Sequence, residues 1–453
     1  MWQLQHRIGS LGVGAWLHIL VSSGAIALDS KPPARPAVPP VKLDSRKCLE
    51  SKGASLGPLI AVSDRNDDGV GDFVVLSTSP YELVTISGAR GEVLSRVTLG
   101  QIETGDQIGT RIAEFGVPRP PASVRILEYG WIRHADSLIP RMRVIDGNGG
   151  STPIPQPTAP LGLVRQPGGA LVLRNSSYEP ILVAASTTIR SASSAPTEPG
   201  QLVVWSPWDS MPRVTYQSAV AADLFGRHIV AVGDWNKDGV NDLAASAPWA
   251  TEGANKTAEA GRIDIISGSD FTLLARVFPT TLGITTQHLG LFMSGGKDFD
   301  GDGANDLVVS GDDSPGCVFA VSGNGPKLIA SLRNPNPGDF SEFGRTALAV
   351  DDLDGDNTPD VVVGHADYSE PGVESVGAIY VFSGKSGACL ATFVLSSAVA
   401  GSRVGELLNV VQDTKSRGSL IVLAGSSRRL DYFSLTLPRA VVNQKANESN
   451  NDK

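Results

Sequence analysis

Short apolar runs rich in β-branched residues recur along the chain, each bounded by glycine, proline or acidic residues. Examples are DFVVLS at 72–77, DLVVSG at 306–311 and DVVVGH at 360–365. Runs of this length and composition are typical of buried β-strands, and no segment has the apolar spacing of a long amphipathic helix. Glycine (50) and proline (30) are both frequent, which fits many brief strands separated by turns. The pattern predicts an all-β chain.

The runs are organised in units of four. One complete unit begins at 225 with FGRHIVAVG and continues with DLAASAP, GRIDIISG and LLARVF. Further units, some of them degenerate, can be traced on this template between 46 and 438, and the third strand of several ends in Ser-Gly. A repeat of this period indicates a propeller, a solenoid or another array.

The two ends of the array discriminate between these architectures. A linear solenoid normally carries atypical capping repeats, whereas the last unit here lacks a fourth strand. The segment RKCLESK at 46–52 aligns with GACLATF at 387–393, the fourth strand of the preceding unit. We therefore predict a seven-bladed β-propeller of four-stranded antiparallel blades, closed by an N-terminal strand that completes blade seven.

A polar loop with oxygen-bearing side chains at alternate positions joins the first and second strands of four units. Oxygen ligands around a sharp turn suit a hard cation such as Ca²⁺, and a glycine at the sixth position permits a positive φ. An EF-hand is excluded, because position 12 is valine or alanine and strands follow each loop. One such loop could be a plain polar turn, but four in the same register predict four calcium sites. The loops are DRNDDGVGD at 64–72, DWNKDGVND at 234–242, DFDGDGAND at 298–306 and DLDGDNTPD at 352–360.

Each site is predicted to use the side chains at loop positions 1, 3, 5 and 9 and the backbone carbonyl at position 7. We expect these ions to be structural. The loop of the seventh unit, DTKSRG at 413–418, has two cations where ligands belong and is predicted not to bind metal. The predicted ligands are Asp64, Asn66, Asp68, Val70, Asp72, Asp234, Asn236, Asp238, Val240, Asp242, Asp298, Asp300, Asp302, Ala304, Asp306, Asp352, Asp354, Asp356, Thr358 and Asp360.

The ends of the chain differ from the repeats. Residues 1–27 are typical of a secretory signal peptide, with an apolar stretch followed by Ala-Ile-Ala; a membrane anchor is the alternative, but polar residues interrupt the run. We expect a proline-rich linker at 28–45, the propeller at 46–438 and a disordered polar tail at 439–453. The predicted protein is secreted, extracellular or periplasmic, and has no transmembrane segment after cleavage. Its three cysteines are too few for a disulfide scaffold and are expected to be small buried side chains.

These features together resemble the FG-GAP repeats of integrin α-subunit propellers. Phe225-Gly226 and Phe343-Gly344 precede acidic loops at a similar distance, and Ser246-Ala247-Pro248 stands where the family has Gly-Ala-Pro. The resemblance covers about 46–438 and is specific in four blades. It implies calcium in the loop between the first two strands of a blade, and a binding or adhesive role. The leg domains of an integrin α-subunit are absent from the sequence.

Composition and motifs limit the function classes further. A net charge of −9 argues against a nucleic-acid partner. No HExxH, Gly-x-Ser-x-Gly, P-loop or dinucleotide motif is present, and the six histidines do not cluster. We expect a monomeric binding, adhesion or scaffold module for a protein or glycan, and not an enzyme. The alternatives are a purely structural surface protein, and an extracellular hydrolase or polysaccharide lyase whose site is assembled across blades.

Long excursions between the second and third strands predict a partner-binding face. Because antiparallel strands alternate in direction, these excursions open on the face opposite the calcium loops. The excursions lie at 130–140, 186–200, 247–261 and 364–377. Loops on one face of a rigid scaffold are a common place for binding. Trp131, Trp249 and Tyr368 are expected to be exposed aromatic contacts there, unless they fold back onto the sheets.

Overall fold

A computed structural model describes residues 40–50, 55–100, 107–114, 126–134, 137–145, 151–153, 165–174, 180–188, 199–205, 213–221, 223–253, 259–312, 316–336, 342–413 and 418–438. The chain divides into units at 1–37 and 38–453, and the first unit lies outside the described residues. The predicted signal peptide, the polar tail, most of the linker and residues 414–417 of the seventh loop also lie outside them.

Strands of the described residues form seven sheets, six of four strands and one of five. The strands of the first sheet are β3 (Leu56–Val62), β4 (Asp72–Thr78), β5 (Tyr81–Ile86) and β6 (Val93–Thr98). Those of the second are β7 (Gln107–Glu114), β8 (Ile126–His134), β9 (Ser137–Ile145) and β10 (Ser151–Pro153). Those of the third are β11 (Arg165–Arg174), β12 (Pro180–Thr188), β13 (Pro199–Trp205) and β14 (Arg213–Ala221).

The remaining sheets follow the same order. The fourth contains β15 (Ile229–Ala231), β16 (Leu243–Ala247), β17 (Arg262–Ile266) and β18 (Leu273–Val277). The fifth contains β19 (Met293–Lys297), β20 (Asp306–Gly311), β21 (Cys317–Val321) and β22 (Leu328–Arg333). The sixth contains β23 (Phe343–Val350), β24 (Asp360–His365), β25 (Ala378–Ser383), β26 (Cys389–Leu395) and β1 (Val41–Leu43). The seventh contains β27 (Leu407–Gln412), β28 (Ser419–Ser426), β29 (Arg429–Thr436) and β2 (Arg46–Glu50).

This architecture confirms the prediction of an all-β chain built from four-stranded antiparallel sheets. The N-terminal strand β2 pairs with β29 in antiparallel register, with Arg46 opposite Tyr432 and Glu50 opposite Arg429. Preceding it, β1 pairs in parallel with β26, so Val41–Leu43 is a strand although the sequence placed it in the linker. Three residues are too few to give a strand pattern in the sequence. Their strand conformation depends on pairing with β26.

The second sheet departs from the sequence prediction at 130–140. This segment was expected to be a long excursion, but β8 runs on to His134 and β9 begins at Ser137. The two strands pair from Ile126–Ile145 out to His134–Ser137, as a hairpin. Polar and aromatic residues within the segment hid the strand character, which comes from pairing between the two strands.

Apolar side chains from neighbouring sheets pack against each other to form the core. In the first and the fourth to seventh sheets, where burial is described, the second and third strands are the most buried. All eight residues of β28 and all six of β24 and β25 are buried, whereas most of β6 is exposed. One cluster joins Leu49 and Leu423 of the seventh sheet to Val75 and Val84 of the first. Burial on both faces explains why the middle strands are continuous apolar runs.

The first strand of each sheet contacts the first strands of its neighbours. These contacts run in the order β3, β7, β11, β15, β19, β23, β27 and return from β27 to β3. Within the described segments, no helix is both long and apolar enough to cross a membrane. None of the three cysteines forms a disulfide; Cys317 is buried, whereas Cys48 and Cys389 are only partly buried.

Candidate metal centres and the opposite face

The four acidic loops share one backbone path, which is held by their own aspartates. At position 1, Asp64, Asp234, Asp298 and Asp352 accept a hydrogen bond from the backbone N–H of position 6 at 2.7, 2.7, 2.9 and 2.8 Å. At position 5, Asp68, Asp238, Asp302 and Asp356 accept one from the N–H of position 7 at 2.9–3.0 Å. The oxygen side chains therefore turn inward around the loop, as a cation site requires.

Positive φ angles occur at two positions of every loop. At position 6, the φ angles of Gly69, Gly239 and Gly303 are 85°, 88° and 87°. The fourth loop has Asn357 there with φ 64°, and asparagine is among the few side chains that tolerate this region. The prediction that position 6 needs a positive φ is thereby confirmed. Position 4 is also left-handed in each loop, a feature that the sequence analysis did not identify.

Three carboxylates converge in the third loop and three in the fourth. One oxygen from each of Asp298, Asp300 and Asp302 lies within 4.8 Å of the others, and the same holds for Asp352, Asp354 and Asp356. Like charges at such distances repel one another, so a bound cation would stabilise this arrangement. The donor set of carboxylates, with an amide at position 3 of the first two loops, fits the hard oxygen ligands that Ca²⁺ prefers.

The aspartate at position 9 also accepts hydrogen bonds from two backbone N–H groups. Asp72, Asp242, Asp306 and Asp360 are fully buried at the start of the second strand. One oxygen of each accepts the N–H of loop position 2 at 2.6–2.8 Å. The other oxygen accepts an N–H from the turn between the third and fourth strands at 2.6–3.3 Å. Each carboxylate thus ties the acidic loop to a turn that lies beside it.

That turn is the recurring Ser-Gly element of the third strand. Its glycine supplies the N–H that position 9 accepts, in Gly88, Gly268, Gly323 and Gly384. Serine hydroxyls of the turn approach the position-5 carboxylate, with Ser87, Ser269, Ser322 and Ser383 lying 3.4, 2.6, 3.5 and 3.5 Å from Asp68, Asp238, Asp302 and Asp356. The repeat of Ser-Gly is visible in the sequence, but its link to the loop appears only when the two turns are brought together.

Close approach of two backbones explains why this residue is a glycine. A Cβ on Gly88, Gly268, Gly323 or Gly384 would lie 1.7, 1.9, 2.0 or 2.0 Å from the carbonyl oxygen of loop position 8. Backbone atoms on both sides cannot move aside without displacing the loop. The same steric restriction in four sheets shows that the loop and the turn form one unit.

Burial controls the protonation of the position-9 carboxylates. It raises the pKa of Asp306 to about 6 and that of Asp360 to about 7, against the opposing effect of their backbone N–H donors. The pKa values of Asp72 and Asp242 are raised for the same reason. In contrast, the Ser269 hydroxyl lowers the pKa of Asp238. A cation beside the buried carboxylates would favour their charged form.

The predicted aromatic contacts on the opposite face do not form one exposed surface. Tyr368 was expected to be exposed, and that expectation is wrong: it is 9% exposed and its ring lies 5.9 Å from that of His365 and 6.5 Å from that of Tyr380. Although Tyr368 lies on a loop, its ring is buried because it packs against these side chains of the sixth sheet. Trp131 lies within β8 and not in a loop. Trp249 is half-buried, and its backbone N–H donates a hydrogen bond to the Asp223 carbonyl oxygen.

Sequence comparison gives a local match to two integrin α-subunits. Integrin alpha-E of Mus musculus is 34% identical over 94 residues, which is 20% of this chain and 8% of that protein. Integrin alpha-E of Homo sapiens is 35% identical over 89 residues, 19% of this chain and 8% of that protein. A stretch of this chain is similar to integrin α-subunits. The resemblance predicted from the Phe-Gly pairs and acidic loops is thereby confirmed, over a small part of the integrin's length.

Two other comparisons add less. No protein-family model matches the chain. Among solved structures, the crystal structure of BBS1N in complex with ARL6DN, soaked with lead, aligns with a TM-score of 0.49 and 13% identity. The alignment covers 88% of this chain and 98% of that chain.

Proposed function

We propose that the chain is a seven-bladed β-propeller, closed by its N-terminal strand, that acts as a calcium-stabilised extracellular binding module. The order of contacts between the first strands, with β27 meeting β3, supports a ring. The pairing of β2 with β29 supports closure by the N-terminal segment. Radial closure protects the sheet edges that an open array would leave free.

The observation that carries the calcium proposal is the fourfold repeat of one constellation. In four sheets the same Asp residues, the same left-handed positions and the same Ser-Gly turn converge on one loop. The ions would be held by the side chains at positions 1, 3, 5 and 9 and the carbonyl at position 7, as in the sequence prediction. A bound ion would stabilise the loop and fix the angle between the first two strands of its sheet. We propose that calcium here is structural and that the protein acts by binding, not by catalysis.

A protein partner is the first choice of ligand. The local similarity is to an integrin α-subunit, and rigid propellers with calcium on one face leave the loops of the other face available for contacts. A secreted location fits this function, since extracellular calcium would fill even weak sites. A glycan ligand is the other outcome that the experiment must distinguish.

Two measurements test the proposal. Metal analysis of the purified full chain, equilibrated in calcium-containing buffer, should find about four calcium ions per chain; fewer than about two would contradict the metal sites. The same protein should then be applied to an array of extracellular-matrix proteins and glycans, with calcium and with chelator. Calcium-dependent retention on protein spots is the expected result. Retention only on glycans would reassign the ligand, and turnover of a spotted polysaccharide would favour an enzyme.

A further inference from the structure

The third acidic loop (298–306) contacts the Ser-Gly turn that borders the fourth. Phe299, at position 2 of the third loop, is 4% exposed and belongs to an apolar cluster with Phe382 of the sixth sheet. A Cβ placed on Gly384 would lie 2.4 and 2.8 Å from the Cδ1 and Cε1 atoms of the Phe299 ring. The ring therefore packs directly against this glycine.

Hydrogen bonds join each side of this contact to an acidic loop. The N–H of Phe299 donates to Asp306, at position 9 of its own loop, at 2.6 Å. The N–H of Gly384 donates to Asp360, at position 9 of the fourth loop, at 3.3 Å. One continuous path thus runs from the carboxylate of Asp306 through Phe299 and Gly384 to the carboxylate of Asp360.

The turn that the ring contacts holds two predicted ligands of the fourth loop. Its Gly384 bonds to Asp360, and its Ser383 hydroxyl lies 3.5 Å from Asp356. The bond from Gly384 is longer than the corresponding bonds of the other three loops, which measure 2.6–2.8 Å. A longer hydrogen bond is weaker, so the fourth loop has the most to gain when its turn is held in place.

We propose that the third and fourth acidic loops bind calcium with positive cooperativity, and that Phe299 carries the coupling between them. The proposal rests on the calcium sites of the proposed function. When the carboxylates of the third loop hold an ion, the backbone and ring of Phe299 are fixed, and the ring fixes the turn at Gly384. The fourth loop then loses less conformational entropy when it binds its own ion. By linkage, an ion in the fourth loop must favour the third loop by the same factor.

Repulsion between two bound cations acts in the opposite direction. Both loops carry aspartates at all four side-chain ligand positions, so each keeps a net negative charge when a divalent ion is bound. Salt at about 0.15 M screens exposed charges beyond about 8 Å. At this salt concentration we expect the direct contact through Phe299 to outweigh the repulsion.

The first acidic loop supplies the matched control. The seventh sheet separates it from the sixth sheet, and the loop of that sheet at 413–418 is predicted not to bind metal. A Cβ placed on Gly88, in the turn beside the first loop, would lie 3.1 Å from Cγ2 of Val411 in β27. An apolar strand residue thus occupies the place that a residue of an acidic loop occupies at Gly384. The first and fourth loops should therefore bind calcium independently of each other.

Calcium titration of full-chain variants by calorimetry tests the proposal. Asp68→Ala with Asp238→Ala gives a pair variant that keeps the third and fourth sites, and its Hill coefficient should exceed unity. Adding Asp302→Ala leaves the fourth site alone, which should bind about fivefold or more weakly than the second step of the pair variant. Adding Asp356→Ala in its place should weaken the third site by the same factor. The control variant, Asp238→Ala with Asp302→Ala, keeps the first and fourth sites and should show a Hill coefficient of unity.

Substitution of Phe299 in the pair variant should remove the coupling while both sites still bind. Phe299→Ala keeps the backbone N–H that bonds to Asp306 but removes the ring from Gly384, so the Hill coefficient should fall to unity. Phe299→Leu retains apolar packing but lacks the outer ring atoms, and it should also lower the Hill coefficient. Melting curves without calcium show whether each variant folds, and Phe299→Leu decides the test if Phe299→Ala does not fold.

Each other result overturns the proposal. Independent or negatively cooperative binding by the pair variant would remove the coupling and leave the calcium sites intact. Cooperativity that survives the Phe299 substitutions would exclude the path through the ring. Equal cooperativity in the control variant would indicate an effect of overall folding and not of the contact. Absence of calcium binding by the wild type would contradict the calcium sites themselves, and with them the proposed function.

Discussion

The buried aspartate at position 9 links the acidic loop to its neighbouring turn. In the fifth sheet, Asp306 accepts the N–H of Phe299 at 2.6 Å and that of Gly323 at 2.6 Å. The two bonds hold the loop and the Ser-Gly turn together with or without a cation. Calcium would therefore be added to a loop that is already partly ordered, which lowers the conformational entropy lost on binding.

Replacing the glycine of the turn should destabilise the protein. In Gly323→Ala the new Cβ would lie 2.0 Å from the Asn305 carbonyl oxygen, so the loop must shift and the bond to Asp306 must lengthen. We expect a loss of about 1–3 kcal/mol in the free energy of unfolding, measured by denaturant titration. Asn324→Ala, at the exposed next position, is the control and should change little. A Gly323→Ala variant as stable as wild type would refute the proposed steric restriction.

Stability without metal should depend on pH through the buried carboxylates. A carboxyl group whose pKa is raised on folding binds its proton more tightly in the folded state. Asp306 (about 6) and Asp360 (about 7) therefore stabilise the folded chain below pH about 4, and this contribution is lost as the pH rises through 6 and 7. In chelator, the free energy of unfolding should fall between pH about 5 and about 8.

Calcium should reverse this trend, because the cation competes with the proton for the same carboxylates. The stabilisation by calcium should be larger at pH about 8 than at about 5. Melting curves in chelator and in calcium across this range measure both effects. Asp360→Asn should flatten the chelator curve, whereas Asp270→Asn, in an exposed turn, should not. A gap between the two curves that narrows with rising pH would contradict the assignment.

At the scale of elements, the N-terminal segment joins two sheets. It adds β1 to the outer edge of the sixth sheet and β2 to the outer edge of the seventh. Between them, Asp44 bonds to Ser396 at 2.7 Å and Ser45 contacts Ser397 at 2.9 Å. A short segment thus covers two strand edges, which would otherwise offer unpaired backbone groups.

Loss of packing by β2 should weaken the seventh sheet. Leu49 is buried in the cluster that joins the seventh and first sheets, so Leu49→Ala should cost about 2–5 kcal/mol of unfolding free energy. Leu94→Ala removes a side chain of the same size from an exposed position in β6 and should cost far less. Denaturant titration of both variants measures the difference. Equal costs would show that β2 contributes little to the core.

At the scale of the whole molecule, calcium should raise the stability of all sheets together. Neighbouring sheets share apolar clusters, so a loop that unfolds in one sheet exposes the core of the next. A ligand that binds only the folded state stabilises it by mass action, by about 2.7 kcal/mol per site at a concentration of ~100 times Kd. Chelation should therefore lower the melting temperature in a single transition.

Removing one site should reduce that response. Asp302→Ala deletes the position-5 carboxylate of the third loop, and we expect about one calcium ion fewer per chain and a smaller shift on chelation. Asp270→Ala, outside the loops, should keep both the ion count and the shift. Calorimetry and metal analysis on the same samples measure the two quantities. A chelator-independent melting curve of the wild type would mean that the sites are empty or incidental.

Local chemistry was sufficient to predict the loops and the strands that flank them. The signals were alternating oxygen side chains, a residue that accepts positive φ, and runs of β-branched residues. Each depends only on a few neighbouring residues, so each can be recognised in the sequence. Strand β2 could also be predicted from the sequence, because its residues are similar to those of the fourth strand of the sixth sheet. Asn357 shows the limit of that reading, because it meets the φ requirement without being glycine.

Contacts between distant residues were decided only by the tertiary structure. Three examples join segments that are separate in the sequence. They are the hydrogen bond from the Gly323 N–H to Asp306, the pairing of β1 with β26, and the contact between the rings of Tyr368 and Tyr380. Local propensity predicts which segments become strands and turns, but partners and exposure depend on which sheets pack together, and that packing is a property of the whole chain.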